Sequence, residues 1–523
     1  MATSWTKRAD QFKSPLRVVA GVLLRSRAYL AGRAQRLKVR LQEFEKINAK
    51  QERTIASLTK LAASKDAEIR RLRNLNEKLR KESTSLAGDP PLPNHEFGPK
   101  MISLAVNCAC TVGLRAAERV LVHVRDWLGV DFRIPSWSGI RSWLLRLGLA
   151  RIALPESFQQ ADDWIWIADH SNQIGKEKVL TVLAVRASQL PPPGQALRHQ
   201  DVTVLCNEPG IQWNENAVAK VYLELEAKFG TPRGVLSDGA TELQNAAKQL
   251  ENPRQIATDV FRDLKHIAAN IFEAELGKTL RFKEFTAMLG QTRSSIQQTE
   301  LSHLTPPEKK VKARFMNLAS NLRWAQMALW GLQHPDAELR KEIGEERMEN
   351  KLGWLREFES ELLEWNECQR IISTAVTFAA EQGIWIGAAE ALRREIGDTL
   401  PQKSPQQVRS KIVAFFEATE SKLKPGERLP ISTEILESTF GLYKSLERQH
   451  SKGGFTSLIL ALPALLKPVT PEFVKSSLPK FGKNQVQSWI KNKLGKTLTS
   501  KRTAAYAEHK KATHRATTLV ATI

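Results

Sequence analysis

Cysteine is scarce. Four residues, Cys108, Cys110, Cys206 and Cys368, serve a chain of 523. That is too few for a disulfide scaffold and suits a reducing compartment, so a cytoplasmic protein is expected. Cys108 and Cys110 lack a second ligand pair at zinc-site spacing and are expected in the core. Long hydrophobic runs are also missing. The longest, LILALPALL at 458–466, is short and broken by proline, so neither a transmembrane helix nor a membrane partner is expected. The first residues, MATSWTKRADQFKSP, lack the apolar core of a secretion signal. Acidic residues fall well short of basic ones, 56 against 78, which leaves a net charge of +22 and implies a polyanionic partner. A hydrophobic fraction of 42% with 28 glycines excludes collagen and wholesale disorder. The length suggests roughly three or four structural units.

The excess charge is not spread evenly. Residues 1–86 hold 21 Lys/Arg against 8 Asp/Glu, and residues 475–523 hold 11 against 1. The body between them is therefore near neutral, with basic ends of the kind that bind phosphate backbones without reading sequence. After a basic arm (1–35), residues 36–86 read as one long helix, free of Pro and Gly over 36–82. A heptad with Leu37, Phe44, Leu58, Leu72 and Leu79 at a, and Ile47, Leu61 and Leu75 at d, predicts a dimerising coiled coil with polar interruptions. AGDPPLPNHEFGP (87–99) is a linker by its four prolines and two glycines.

Residues 100–155 read as three helices. MISLAVNCACTVG ends at Gly113, LRAAERVLVHVRDWLGV follows, and PSWSGIRSWLLRLGLARI opens with Ser136 or Ser138 as N-cap. Arg141, Ser142 and Arg146 are expected on the exposed face of the third helix, a pattern that suggests a helix-turn-helix. Residues 160–276 then alternate. DDWIWIADHS, KEKVLTVLAVRAS and DVTVLCNEP read as an antiparallel meander, NAVAKVYLELEAKFG as a helix, and RGVLSDGA and RQIATD as further strands. The later strands need helical crossovers and are expected parallel. This order predicts a mixed α/β core of ribonuclease H-like layout. No strand is expected over 277–430, which reads as an all-helical insertion carrying Trp324, Trp330, Trp354, Trp365 and Trp385. At helical spacing such tryptophans are usually core; the contrasting reading is that one of them stacks on an unpaired base. Residues 431–470 return to the core with the helix ISTEILESTFGLYKSLERQ, and 471–523 read as a basic tail.

Metal-assisted phosphodiester chemistry needs carboxylates that converge from different elements. Three acids fit. Asp169 follows WIWIA at the end of the first strand, Asp238 ends the fourth in VLSDGATEL, and Glu437 lies on the helix after the insertion. Ligands gather at the carboxyl ends of such strands. Glu434, three residues before Glu437, is its rival on the same helix face. Lys444 lies two turns beyond Glu437 on that face and is a candidate phosphate contact, with Arg448 and Lys452 extending the basic surface. Asp259, read as the end of the fifth strand, and His266 are candidates for a supporting role, or simply a helix cap and a packed histidine.

IADHSNQIG, VLSDGATEL and ILESTFGLYKSLERQHSKGG resemble the three catalytic blocks of DDE-type transposases of bacterial insertion sequences. The segment 113–152 is similar to the helix-turn-helix found upstream in such enzymes. The resemblance covers roughly residues 100–466, and ESTFG is its most specific part. The spacing of 69 residues from Asp169 to Asp238 and 199 from Asp238 to Glu437 suits relatives with an insertion before the Glu. It implies Asp169, Asp238 and Glu437 as a triad for two Mg²⁺ ions, with Mn²⁺ able to substitute. It further implies DNA ends and target DNA as partners, a homodimer or higher oligomer, and a bacterial, nucleoid-associated location. The contrasting readings are a non-catalytic DNA-binding descendant, acting as repressor or architectural factor, and a structure-selective nuclease on the same fold.

Overall fold

The computed structural model describes residues 18, 20–23, 26–32, 34, 55–59, 61–75, 88–130, 132–153, 161–250, 258–308, 318–334, 345–449 and 455–520. The chain divides into two compact units, 1–90 and 91–523. In the first, the described residues up to 75 are helical. Leu58, Leu61, Leu72 and Leu75 of the expected heptads lie exposed along it. The other heptad positions, and most of the basic arm, lie outside the described residues.

The second unit begins with α1 (Pro99–Val112), α2 (Leu114–Leu128) and α3 (Trp137–Ala153). Gly113 ends the first helix as expected, and Ser136 caps the third, its Oγ accepting from the Gly139 N–H at 3.3 Å. Then come β1 (Trp164–Ile174), β2 (Glu177–Arg186), β3 (Thr203–Gly210), α4 (Glu215–Phe229), β4 (Gly234–Ser237), α5 (Thr241–Ala247) and β5 (Asp259–Arg262). The sheet order is β3-β2-β1-β4-β5. β1–β2 and β2–β3 are antiparallel, whereas β1–β4 and β4–β5 are parallel. This is the mixed layout that the short early connections and later helical crossovers dictate.

Alternation along the strands builds two faces. Trp166, Ala168, Leu180, Val182 and Val235 pack under α4 and α5, with Tyr222 of α4 at the centre. Ile165, Ile167, Val179, Leu183 and Leu236 face the other way, into the larger core. That core is helical: α6 (Leu264–Phe272), α7 (Leu280–Ile296), α8 (Ala319–Gln333), α9 (Glu345–Leu352), α10 (Glu359–Gln382), α11 (Ala388–Ile396), α12 (Lys403–Glu420) and α13 (Glu434–Arg448). Among the described residues between β5 and α13, the sole strand-like feature is an isolated bridge, Ile384 with Leu429. The chain ends with α14 (Leu462–Leu465), α15 (Pro471–Ser477), α16 (Lys483–Trp489) and α17 (Leu498–Val520). No helix among the described residues is long and apolar enough to cross a membrane.

Two expectations need correction. The third helix does not present Arg146 to solvent. From Ile140 to Arg151 α3 is buried almost all round, because Trp143, Leu144, Leu145, Leu147 and Leu149 leave it no polar face. Arg146 instead donates to the carbonyls of Phe481 (2.6 Å) and Leu478 (2.7 Å). Arg141 is half-buried and donates to Ser457 Oγ at 2.8 Å. The basic segment after 471 is likewise no simple tail. Phe473, Val474, Leu478 and Val486 are buried, α15 packs on α1 and α3, and α16 packs on α3.

Close approach of α3 to the turn at 457–461 depends on Gly148. A Cβ there would stand 1.7 Å from the Leu460 carbonyl oxygen, a backbone atom with no rotamer to change. Gly148→Ala should therefore destabilise the fold by about 1–3 kcal/mol. The check is a lower urea midpoint with an unchanged slope.

Candidate active site

β1 and β4 run parallel, and their last paired residues are Ala168 and Ser237. One residue further on each strand stand Asp169 and Asp238, so sheet register alone sets these two acids side by side. β4 stops there, while β1 continues to Ile174 against β2. Asp169 thus sits within a longer strand than expected, at the point where its parallel neighbour ends. Its Oδ1 accepts from the His170 N–H at 2.6 Å. Asp238 Oδ1 accepts from the Ala240 N–H at 2.9 Å, closing a turn in which Gly239 adopts φ +105°. Opposite Asp169 on β2, Thr181 donates to Asn207 and Asn207 donates to the Ile459 carbonyl, tying the sheet to the segment after α13.

The electrostatics follow from this packing. Burial, then the neighbouring Asp238 charge, push the Asp169 carboxyl up to about 7; Glu437 adds to the rise and His266 opposes it. Glu437 reaches Asp169 from α13, which packs against β1. Glu434 stands three residues before Glu437 on α13. It lines a small apolar recess with Leu190, Ala380 and Arg428.

A residue the sequence reading passed over holds these parts together. Asp263, 1% exposed in its side chain, caps α6 by accepting from the His266 N–H at 3.0 Å. Its Oδ2 also meets His266 Nδ1 at 2.7 Å, and its Oδ1 accepts from the Thr433 N–H at 2.9 Å, at the start of α13. Its own N–H donates to the Ser237 carbonyl at 2.8 Å. The hydrogen bond that His266 donates to Asp263 raises it above its ordinary value, and the charges of Asp263, Asp238 and Asp169 add to that. His266 therefore keeps its proton to higher pH than a free histidine, beside the acid pair.

Asp259 stands elsewhere. It opens β5, paired with Gly234, and binds Arg233, which also holds Glu427 at 2.7 Å. The strand lies downstream of its expected place because Phe261 is needed beneath Gly234 and α6 starts only after Asp263. The Asp-x-x-His spacing before an apolar helix was the signal for this cap. Lys444 and Arg448 are exposed on the face of α13 that carries Glu437. Lys452 lies outside the described residues. Of the five tryptophans, Trp365 is buried, Trp324 and Trp354 donate to Leu304 O and Thr292 Oγ1, and Trp385 stacks on Phe378. Trp330 is 61% exposed and stacked on His334.

As donors, Asp169 and Asp238 offer the hard oxygens that Mg²⁺ prefers. Among the described residues no three His, Cys, Asp or Glu side chains stand close enough to hold a metal ion. Glu437 is engaged by Lys265. Its Nζ binds Glu437 Oε2 at 2.8 Å and lies 3.6 Å from Glu434 Oε1, so the third carboxylate is turned to an ammonium. In this arrangement Asp169 and Asp238 are the two carboxylates open to a cation, while Glu437 is held by Lys265.

Two outcomes are expected. The folded chain keeps the Asp169 proton where the unfolded chain has lost it, so metal-free stability falls as pH rises from 3.8 to about 7. His266, also raised, loses its stabilising contribution further up, as pH passes through its folded-state value. The melting temperature of Asp169→Asn minus that of wild type should widen across the first window. Lys265→Ala should raise Mn²⁺ affinity several-fold, read as a larger thermal shift at equal metal, whereas Glu437→Gln should lower it.

No family model matches the sequence, and no curated protein matches it. Among solved structures, the Drosophila P element transposase strand transfer complex is similar over 77% of this chain and 99% of that chain, at 13% identity and a TM-score of 0.39.

Proposed function

We propose that this chain is a DNA transposase of the DDE type, of the bacterial insertion-sequence kind that its motifs resemble, with an upstream helical domain and an all-helical insertion. The observation that carries the reading is the acid pair: Asp169 and Asp238 at the same level of two adjacent parallel strands, with the Glu437 charge within reach on α13. Asp169, Asp238 and Glu437 would hold two Mg²⁺ ions, or Mn²⁺ in their place. Such ions, when bound, supply Lewis-acid activation of the attacking oxygen and stabilisation of the leaving one.

The chain's own residues prepare the rest. Asp263 orients His266 toward the acids and fixes the start of the Glu437 helix. Lys265, once released from Glu437, adds a cation beside the reacting phosphate, and Lys444 and Arg448 extend that charge along α13. Glu437 is the better third ligand than Glu434, because its charge acts on Asp169 while Glu434 lines the recess. The basic arm and exposed heptad leucines suit pairing of two DNA ends by two protomers. Arg146 takes no part in DNA contact, since it is spent on backbone carbonyls.

The test is cleavage of DNA carrying the element's own flanks in Mg²⁺, scored for nicked and joined products. Asp238→Asn and Glu437→Gln should lose on the order of 10³-fold in rate, the effect of removing several kcal/mol of charge stabilisation. Glu434→Gln should retain most activity. Nicking without joined products would make the chain a nuclease. Binding without cutting of a verified intact end would make it a DNA-binding descendant.

A further inference from the structure

The last helix, α17, differs from every other in the body. It has 23 residues, about 35 Å of length, and its described side chains from Lys501 to Thr513 are all exposed. Its root, by contrast, is fixed. Thr497, itself buried, accepts from the Ser500 N–H at 3.1 Å. Glu177, a buried carboxylate at the β1–β2 turn, accepts from the Leu498 N–H at 2.6 Å. Thr499 Oγ1 accepts from the Phe455 N–H at 3.2 Å, and Leu498 lies against Gly175. The helix thus springs from the hairpin turn that ends β1. That turn lies five residues past Asp169, about 17 Å along the strand.

The exposed shaft is cationic. Arg502, Tyr506, His509 and Lys510 follow one another along one face, with Lys501 at its edge. Among the described residues none of Lys501, Arg502, His509 and Lys510 has an ion-pair partner; the one nearby acid, Glu508, pairs with Lys511. Three partners suit an exposed basic helix, and two fail here. A membrane-surface helix needs a large apolar face, yet Tyr506 is the sole large apolar side chain from 501 to 513. A coiled coil needs an apolar seam, and Ala504, Ala507 and Ala512 are too small to build one. A helix of this diameter and small-residue content fits the DNA major groove, about 12 Å wide, and its length matches about one turn of duplex.

We propose that α17 is a duplex-binding helix, rooted on the β1–β2 turn, whose cations grip phosphates of the DNA at a fixed distance from the acid pair. This deepens the reading of the chain as a DNA-processing enzyme and adds where the duplex lies. The contacts are to phosphates, so the grip is independent of sequence.

The experiment uses the full chain with Lys501, Arg502, Lys510 and Lys511 all changed to Gln, which keeps helix propensity and removes four charges. Duplex binding is measured from about 50 to 200 mM salt, with hydroxyl-radical footprinting on an end-bearing duplex. The expected result is a log–log salt slope flatter by about 3, affinity roughly tenfold weaker or worse, and loss of one block of protection away from the cut position. The thermal shift with Mn²⁺ should be unchanged, since the acid pair is untouched. An unchanged slope, a uniform loss of protection, or a wild-type chain that binds phosphatidylserine vesicles and not duplex would each overturn the proposal. A flatter slope in a protein that never cuts in Mg²⁺ would leave this surface standing and remove the transposase reading.

Discussion

The site depends on one buried carboxylate. Asp263 sits where three segments meet: the end of β4, the first turn of α6 and the entry to α13. β4 and α13 lie far from it in sequence, and the starts of α6 and α13 each carry a backbone N–H that would be left unpaired in the interior. A single carboxylate that accepts from two backbone N–H groups and an imidazole satisfies them at once. Because the Glu437 helix begins at Thr433, the position of that glutamate against β1 follows from this contact. Losing it would free α13 from the sheet and leave His266 without its orienting partner.

Around that clamp the charges are balanced in alternation. Burial, and then repulsion from Asp238, raises the Asp169 carboxyl to about 7. His266 and Lys265 stand on the next helix, one facing the pair and the other holding Glu437. The arrangement is poised: every acid has a cation nearby, yet none is locked into a fully buried pair. The near-neutral body confines this chemistry to one place, while the net positive charge sits at the ends of the chain, where it can act on a long polyanion.

What was readable beforehand, and what was not, follows physical lines. Asp169 and Asp238 were visible because each ends a run of apolar residues with strand character, and strand pairing then had few options. Glu437 stood out by its motif. Asp259 was misplaced because a four-residue strand has too little pattern to fix its edge; Arg233 and Phe261 decide where β5 starts. Arg146 was misjudged because a helix wheel shows which side is apolar only when another side is polar. In α3 nearly all sides are apolar, and the guanidinium is buried by satisfying carbonyls of residues more than three hundred positions away.

The amino-acid sequence by itself determined the order of strands and helices, the two acids that follow apolar strand runs, the basic ends and the absence of membrane-length apolar runs. These are local or compositional properties, fixed by periodicity and charge. Tertiary structure alone decided that Asp263 is the clamp, that Lys265 holds Glu437, that Trp330 is the exposed tryptophan of its group, and that α17 stands clear of the body on a buried Glu177 root. Each of those depends on contacts between residues far apart in the chain, and no local pattern records which distant backbone group a side chain will meet.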